Sequence, residues 1–238
     1  MRKALIWISQ TAGPQGPLFL FLVVAVLLLG FGLLADEVME GATTAFDNRI
    51  ILALRNANNL ANPIGPAWLQ SMARDITALG SVVVLWIILL AVVGYLFLSG
   101  KKISAWLMLA AVLGGTALNS LLKLGFARPR PDLFAQSTKL VTASFPSGHA
   151  ALSAITYLTL AALLARTTAS GRIRSYFMAI GILLTLSVGV SRVYLGVHYP
   201  TDVLAGWCIG SAWALGCWAI FSLMQQRGAA EPPGKSVI

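Results

Sequence analysis

The chain is poor in charged residues and in histidine, and both shortages limit what it can be. Only 11% of its 238 residues are charged and 58% are hydrophobic, whereas about a quarter of the residues in a soluble domain are charged. No polar block is long enough to fold separately, so we predict one membrane domain over residues 1–224 and no soluble domain. The tail at 225–238 has no packing pattern and is predicted to be disordered in the cytoplasm.

Cysteine and acidic residues are also scarce. Cys208 and Cys217 lie in one apolar run, and at about 100° per residue their spacing turns them to opposite faces of a helix. A disulfide between them is therefore not expected, and no zinc spacing exists. Asp132 and Asp202 are the only acids near the polar clusters described below, too few for a magnesium site. The sequence predicts no metal and no cofactor.

Six apolar stretches are long enough to cross a bilayer, which takes about 20 residues. They predict an all-α, polytopic membrane protein with a six-helix bundle at 17–35, 77–98, 103–122, 147–165, 176–195 and 202–224. The first run follows Arg2 and Lys3 as in a signal peptide, but it is too long and lacks a convincing cleavage site. We interpret it as a spanning helix. With six crossings, both termini lie on one side.

The basic residues are scattered at the ends of apolar runs, so the net charge of +9 does not indicate a nucleic-acid partner. The side with the termini collects most of the excess positive charge, against one acid, Glu231. The other side is nearly balanced. By the positive-inside rule the termini are cytoplasmic, and the polar clusters then open to the opposite face.

The stretch at 36–76, between the first two spans, has apolar residues at helical spacing, with Phe46, Ile50, Ile51 and Leu54 followed by Leu60. It predicts one or two short amphipathic helices at the membrane interface, interrupted by prolines and a glycine at 63–66. Such helices would cover the bundle or gate substrate access.

The first polar cluster directly follows the third span and contains Lys123, Arg128 and Arg130. One interpretation is snorkelling at the membrane edge. Pro129 and Pro131 hold the backbone extended, however, and a guanidinium fixed in this way can bind phosphate oxygens in a bidentate manner. Phosphate binding and interfacial anchoring both remain open on this cluster alone.

The second cluster, Ser144 to His149, begins the fourth span, with Pro146 suited to the first turn of a helix. The amides of Ser147, Gly148 and His149 would then point out of the helix start, where an anion binds readily. The alternative is an ordinary helix cap with a histidine packed behind it. A histidine at the membrane edge is costly without a role.

The third cluster contains Ser191, Arg192, His198 and Asp202. A carboxylate that accepts a hydrogen bond from one imidazole nitrogen fixes the tautomer and leaves the other nitrogen free to attack. Pro200 rules out a continuous helix through His198 and Asp202, so the pair would have to meet across a turn. The alternative is an interfacial aromatic belt with a helix-capping aspartate.

All three clusters reach the same predicted membrane face, which favours a shared function. Two histidines permit one to attack phosphorus and the other to protonate the leaving oxygen. The cations would stabilise the charge on the phosphoryl oxygens in place of a metal.

The three clusters together resemble the signature of the type 2 phosphatidic acid phosphatases. The pattern Lys-x6-Arg-Pro, Pro-Ser-Gly-His and Ser-Arg-x5-His-x3-Asp is matched at Lys123 with Arg130 and Pro131, at Pro146 to His149, and at Ser191, Arg192, His198 and Asp202. The resemblance implies a phosphohistidine mechanism, with His198 as nucleophile, Asp202 orienting it and His149 as general acid. It also implies a phosphate site made by Lys123, Arg130, Ser147, Gly148 and Arg192, with Arg128 left as an accessory cation.

For membrane members of this family, the resemblance implies dephosphorylation of phosphatidic acid, phosphatidylglycerol phosphate or an isoprenoid diphosphate such as the undecaprenyl carrier. The related haloperoxidases are soluble, unlike this chain. The compact chain indicates a bacterial protein of the inner membrane, with the site facing the periplasm or exterior. A lipid phosphotransferase using the same site, or a transporter that binds phosphate head groups without cleaving them, remains an alternative. The oligomeric state is left open.

Overall fold

A computed structural model describes residues 15–131 and 143–226, so most of the predicted tail, and Asp132, lie outside the described residues. The described part contains eight helices and one β-hairpin. Their bounds are α1 Gln15–Met39, α2 Thr44–Ala53, β1 Arg55–Asn56, β2 Asn59–Pro63, α3 Ala67–Ala78, α4 Val82–Leu98, α5 Lys102–Phe126, α6 Gly148–Ala165, α7 Gly171–Tyr194 and α8 Pro200–Gln226.

The predicted six-span membrane bundle is confirmed, with one difference in the second span. Five helices are each long and apolar enough to cross a membrane, and α3 and α4 pass the same test only when they are taken together as a bent pair. We predicted one continuous span at 77–98, but the chain bends by 46° between α3 and α4. The reason is local, because Ser81 caps α4 by accepting a hydrogen bond from the Val84 amide at 3.3 Å. Cys208 and Cys217 are both free, as predicted.

Helix α6 is the centre of the bundle. An apolar stretch of 18 residues in α6 is 61% buried, whereas the corresponding stretch of the peripheral α1 is 11% buried. Helix α6 packs against α5, α7 and α8. Small residues allow α6 and α8 to approach closely. A Cβ atom added at Gly210 would lie 2.5 Å from the Ala151 carbonyl oxygen, and one at Gly206 would lie 2.7 Å from that of Ser147. The starts of these two helices are therefore side by side.

The segment between α1 and α4 contains the predicted short helices, but Leu60 lies in a hairpin and not in a helix. The prediction was wrong there because asparagine side chains compete for the backbone. Asn56 Oδ1 accepts from the Asn58 amide at 2.9 Å, and Asn59 Oδ1 accepts from the Ala61 amide at 3.1 Å, which are turn-forming contacts. The Arg55 guanidinium donates to the Tyr194 carbonyl at 2.7 Å, which fastens the hairpin to the end of α7.

Candidate active site

The three polar clusters meet at one end of the bundle, where two helices end and two begin. Lys123 lies in the last turn of α5 and Arg192 in the last turn of α7. Gly148 is the first residue of α6, and Asp202 lies in the first turn of α8. The helix ends thus gather residues that are up to 79 positions apart in the chain.

His198 and Asp202 face each other across the turn that leads into α8. His198 Nδ1 lies 3.3 Å from Asp202 Oδ2, which also accepts a hydrogen bond from the Tyr199 amide at 2.9 Å. The carboxylate therefore caps the helix and contacts the imidazole at the same time. Both side chains are buried, with exposures of 1% for His198 and 0% for Asp202.

The partners of His198 select one tautomer. Its Nε2 lies 3.2 Å from Nη1 of Arg130, and a guanidinium can only donate. Nε2 must therefore carry the lone pair, while Nδ1 carries the proton that faces Asp202. The arrangement leaves a nucleophilic nitrogen directed at a cation.

Burial keeps His198 neutral. Desolvation lowers its pKa from 6.5 to about 4, and although Asp202 opposes this shift, the charges of Arg130 and Arg192 add to it. The neutral imidazole with a lone pair at Nε2 is the form a nucleophile requires.

Three cations lie close together at this end of the bundle, with Arg130 at Nε2 of His198 and Arg192 and Lys123 near Arg130. The Arg130 guanidinium also donates to the Val197 carbonyl at 2.9 Å, and that of Arg192 donates to Thr77 Oγ1 at 3.1 Å. The Lys123 ammonium donates to the Ala143 carbonyl. Each cation thus has a neutral oxygen that fixes the position of its charged group.

His149 and Gly148 lie at the start of α6, beside these cations. The charges of Arg192, Arg130 and Lys123 all act on the His149 imidazole, as does His198. A Cβ atom at Gly148 would lie 3.6 Å from Cε of Lys123. The amides of the first helical turn have no acceptor inside the helix, so the Gly148 and His149 amides are available to an anion at this end of α6.

Ser147 occupies a different position from the one predicted. It precedes the helix as its N-cap, with its hydroxyl accepting from the Ala150 amide at 3.5 Å. Its own amide does not point outward but donates to the Asp202 carbonyl at 2.9 Å. Pro146 accordingly lies before the cap instead of in the first turn. The close packing of α6 on α8 explains this bond, which ties the two helix starts together.

The sequence did not indicate that Ser144 and Arg128 contact Asp202. Ser144 Oγ donates to Asp202 Oδ2, and Arg128 forms an ion pair of 2.7 Å with Oδ1. Arg128 also pairs with Asp47 at 2.8 Å. Burial works against the charge on Arg128, but the two carboxylates outweigh it and raise its pKa. We predicted from the sequence that Arg128 is an accessory cation. In the structure its charge is compensated by two carboxylates, and it holds Asp202 in place.

Within residues 15–131 and 143–226 no three His, Cys, Asp or Glu side chains form a cluster able to hold a metal ion. What the site gathers instead is a neutral buried imidazole, a second histidine, three cations and a helix start. This set suits the binding of an anion and the attack of nitrogen on it.

A membrane-spanning helical bundle with this site at one end defines an integral membrane protein whose site is suited to bind an anionic group. The chain belongs to the PAP2 superfamily, whose sequence model matches residues 104–225. The predicted family is thereby confirmed.

Named relatives agree with the family assignment. The chain is 33% identical over 186 residues to phosphatidylglycerophosphatase B of Bacillus subtilis, covering 77% of this chain and 87% of that protein. It is 29% identical over 217 residues to the undecaprenyl-diphosphatase of Sulfolobus acidocaldarius, covering 89% and 88%. The crystal structure of a transmembrane PAP2 type phosphatidylglycerolphosphate phosphatase from Bacillus subtilis matches with a TM-score of 0.76 at 30% identity, over 84% of this chain and 96% of that one. The predicted enzyme class, a lipid phosphatase, is confirmed.

Proposed function

We propose that the protein hydrolyses a lipid phosphate or diphosphate through a phosphohistidine at His198. The observation that carries this proposal is that the two imidazole nitrogens of His198 have different partners. Nδ1 faces Asp202 at 3.3 Å, and Nε2 faces Arg130 at 3.2 Å. Asp202 orients the ring, and the neutral Nε2 is directed toward the cations that would hold a phosphoryl group.

In the first step the lone pair of His198 Nε2 attacks phosphorus. The P–N bond forms while the bond from phosphorus to the lipid oxygen breaks. The leaving oxygen takes a proton from the protonated His149, which acts as general acid. The products are the free lipid alcohol, or a lipid monophosphate from a diphosphate, and a phosphorylated His198.

In the second step a water molecule attacks the phosphohistidine. His149, now neutral, removes a proton from this water, the P–N bond breaks and its electrons return to Nε2. Inorganic phosphate leaves, and both histidines regain their starting protonation states. The cycle consumes one water and needs no other reactant.

The phosphoryl oxygens would be held by Lys123, Arg130, Arg192, the Gly148 amide and Ser147. Because the Ser147 amide is already bonded to Asp202, only its hydroxyl proton is available for the substrate. Charge stabilisation on the phosphoryl oxygens is the main requirement of phosphoryl transfer, and the three cations supply it. We propose that no metal ion takes part.

The substrate is proposed to be phosphatidic acid, phosphatidylglycerol phosphate or undecaprenyl diphosphate. Two relatives are named for phosphatidylglycerol phosphate and undecaprenyl diphosphate. We further propose that residues 1–224 form one domain in the bacterial inner membrane, with cytoplasmic termini and a site that faces the periplasm or exterior. The charge distribution of the loops supports this orientation.

Trapping of the intermediate tests the mechanism. His149→Gln lacks the acid and base, so we expect kcat to fall by about 10²- to 10⁴-fold and a ³²P-labelled lipid phosphate to leave an acid-labile label on His198. His198→Gln should take up no label and release no phosphate. Phosphate release by His198→Gln would contradict the proposal.

Purified protein given one lipid phosphate and no acceptor lipid should release inorganic phosphate. Assays with each of the three lipid classes would then rank these substrates by kcat/KM. Transfer only in the presence of a second lipid would identify a phosphotransferase instead.

A further inference from the structure

Asp47 is a buried carboxylate far from the three sequence clusters. It lies in the first turn of α2, between the first two spans, and has an exposure of 0%. The match to the PAP2 superfamily covers residues 104–225 and so does not include it. A charge this deep is stable only when it is paired and hydrogen-bonded.

Both oxygens of Asp47 are occupied by groups next to the active site. Oδ2 accepts from Nη2 of Arg128 at 2.8 Å and from the Thr201 hydroxyl at 2.6 Å. Oδ1 accepts from the Thr201 amide at 3.1 Å. Thr201 immediately precedes Asp202 in the first turn of α8, so α2 is docked directly onto the segment that carries the carboxylate facing His198.

Arg128 connects the two carboxylates. While Nη2 contacts Asp47, Nη1 donates to Asp202 Oδ1 at 2.7 Å and to the Thr201 hydroxyl at 2.9 Å. Its guanidinium also lies over the Tyr199 ring, 4.3 Å from the centroid. With Oδ1 of Asp202 held by Arg128, the other oxygen, Oδ2, is the one that faces His198 Nδ1.

We propose that Asp47 is a positioning residue for the reaction, because it holds Arg128 in the orientation that leaves Asp202 Oδ2 aligned with His198. This inference rests on the proposed role of His198 as nucleophile. Without Asp47, Arg128 has one carboxylate partner in place of two and is free to bind both oxygens of Asp202. The proton on Nδ1 then loses the aligned Asp202 oxygen and keeps only the Ser144 hydroxyl at 3.4 Å, so the tautomer with the lone pair at Nε2 is less strongly favoured.

Kinetics of Asp47→Asn provide the first test. Misalignment of a reacting group can reduce the rate by about 10²-fold, and because Asp47 does not touch the phosphate, we expect kcat to fall by about 10- to 100-fold with KM unchanged. Glu40→Gln is the matched control, since it removes an exposed carboxylate from the same connecting segment, and it should keep wild-type kinetics. An Asp47→Asn enzyme with wild-type kcat, or with a raised KM at unchanged kcat, would overturn the inference.

The tautomer of His198 is a second readout, and it does not depend on turnover. In a His149→Gln background His198 is the only histidine, so ¹⁵N-histidine labelling of a protein without a histidine tag reports on it alone. We expect a single Nδ1–H tautomer at pH 7 that becomes a mixture when Asp47→Asn is added. An unchanged tautomer would overturn the inference while leaving the phosphohistidine mechanism intact. Label or turnover in His198→Gln would instead overturn the mechanism.

A double variant covers the case in which Asp47→Asn alone does not fold. Asp47→Asn combined with Arg128→Gln removes the buried arginine that would be left with one partner. If Asp47 acts through Arg128, this double variant should have the kcat of Arg128→Gln alone, since coupled residues are not additive. A kcat reduced by the product of the two single effects would show that Asp47 does not act through Arg128.

Discussion

The two histidines of the chain have different surroundings, and these fit different chemical roles. His198 is almost fully buried between one carboxylate and one guanidinium, and its pKa is lowered to about 4, mainly by desolvation. His149 is partly exposed at the start of α6, beside Gly80. A group that must attack benefits from being neutral, whereas a group that exchanges protons must be reached by water.

This difference predicts how His198 titrates. Because its folded pKa lies below 6.5, the imidazole gains its proton only when the pH falls through about 4, and it stays neutral throughout the range from 5 to 8. In His149→Gln, ¹⁵N-labelled His198 should therefore show no charge change between pH 5 and 8. The control is His198→Gln, which reports His149 alone. A titration of His198 near 6.5 would mean that burial and the neighbouring arginines do not act on it as described.

The bend between α3 and α4 also contacts residues of the active site. Thr77, at the end of α3, accepts the Arg192 hydrogen bond. The Leu79 carbonyl within the bend accepts from the Tyr157 hydroxyl at 2.7 Å. Gly80 packs on α6 and α7, where an added Cβ atom would lie 2.4 Å from Cγ1 of Val188 and 3.3 Å from Cδ2 of His149. The contact with Val188 is too close for any side chain at position 80, because buried Val188 has little freedom to move.

Gly80→Ala is therefore expected to displace α7 or His149 and to lower kcat by about 10- to 100-fold. Gly94→Ala in α4 is the matched control, since nothing lies within 4 Å of its Cβ position. Alanine is favoured over glycine in a helix by about 1 kcal/mol, so this control should keep full activity and not lose thermal stability. Steady-state kinetics and melting curves of both variants in one detergent would check this. Equal kcat values for the two variants would show that the bend does not position the active site.

At the level of the whole molecule, local signals predicted the bundle, and distant contacts escaped prediction. Apolar run length identified the spans, and the spacing of His198 to Asp202 around Pro200 anticipated their meeting across a turn. Asp47 could not be placed, because the periodicity of α2 indicates a buried face without saying which surface covers it. Leu60 continued a helical pattern that the neighbouring asparagines interrupt. Gly80 and Ser81 were hidden inside an apolar run, although a serine followed by valines is a readable helix start.

The orientation of the bundle in the membrane is the remaining large-scale prediction. All the helix ends that form the site lie at the same end as the hairpin, and the loop between α4 and α5 lies at the other end of α5. Asn58 in the hairpin turn and Ser99 in that loop are both exposed. We therefore predict that they mark opposite faces of the membrane, with Ser99 in the cytoplasm by the charge bias.

Single cysteines at these two positions test the orientation. In a background in which Cys208 and Cys217 are replaced by serine, Asn58→Cys should react with a membrane-impermeant maleimide in intact cells. Ser99→Cys should react only after the cells are permeabilised. Retained phosphatase activity in the cysteine-free parent shows that the bundle is intact. If Ser99→Cys is labelled in intact cells and Asn58→Cys is not, the site opens to the cytoplasm, and its lipid substrates must be those of the inner leaflet.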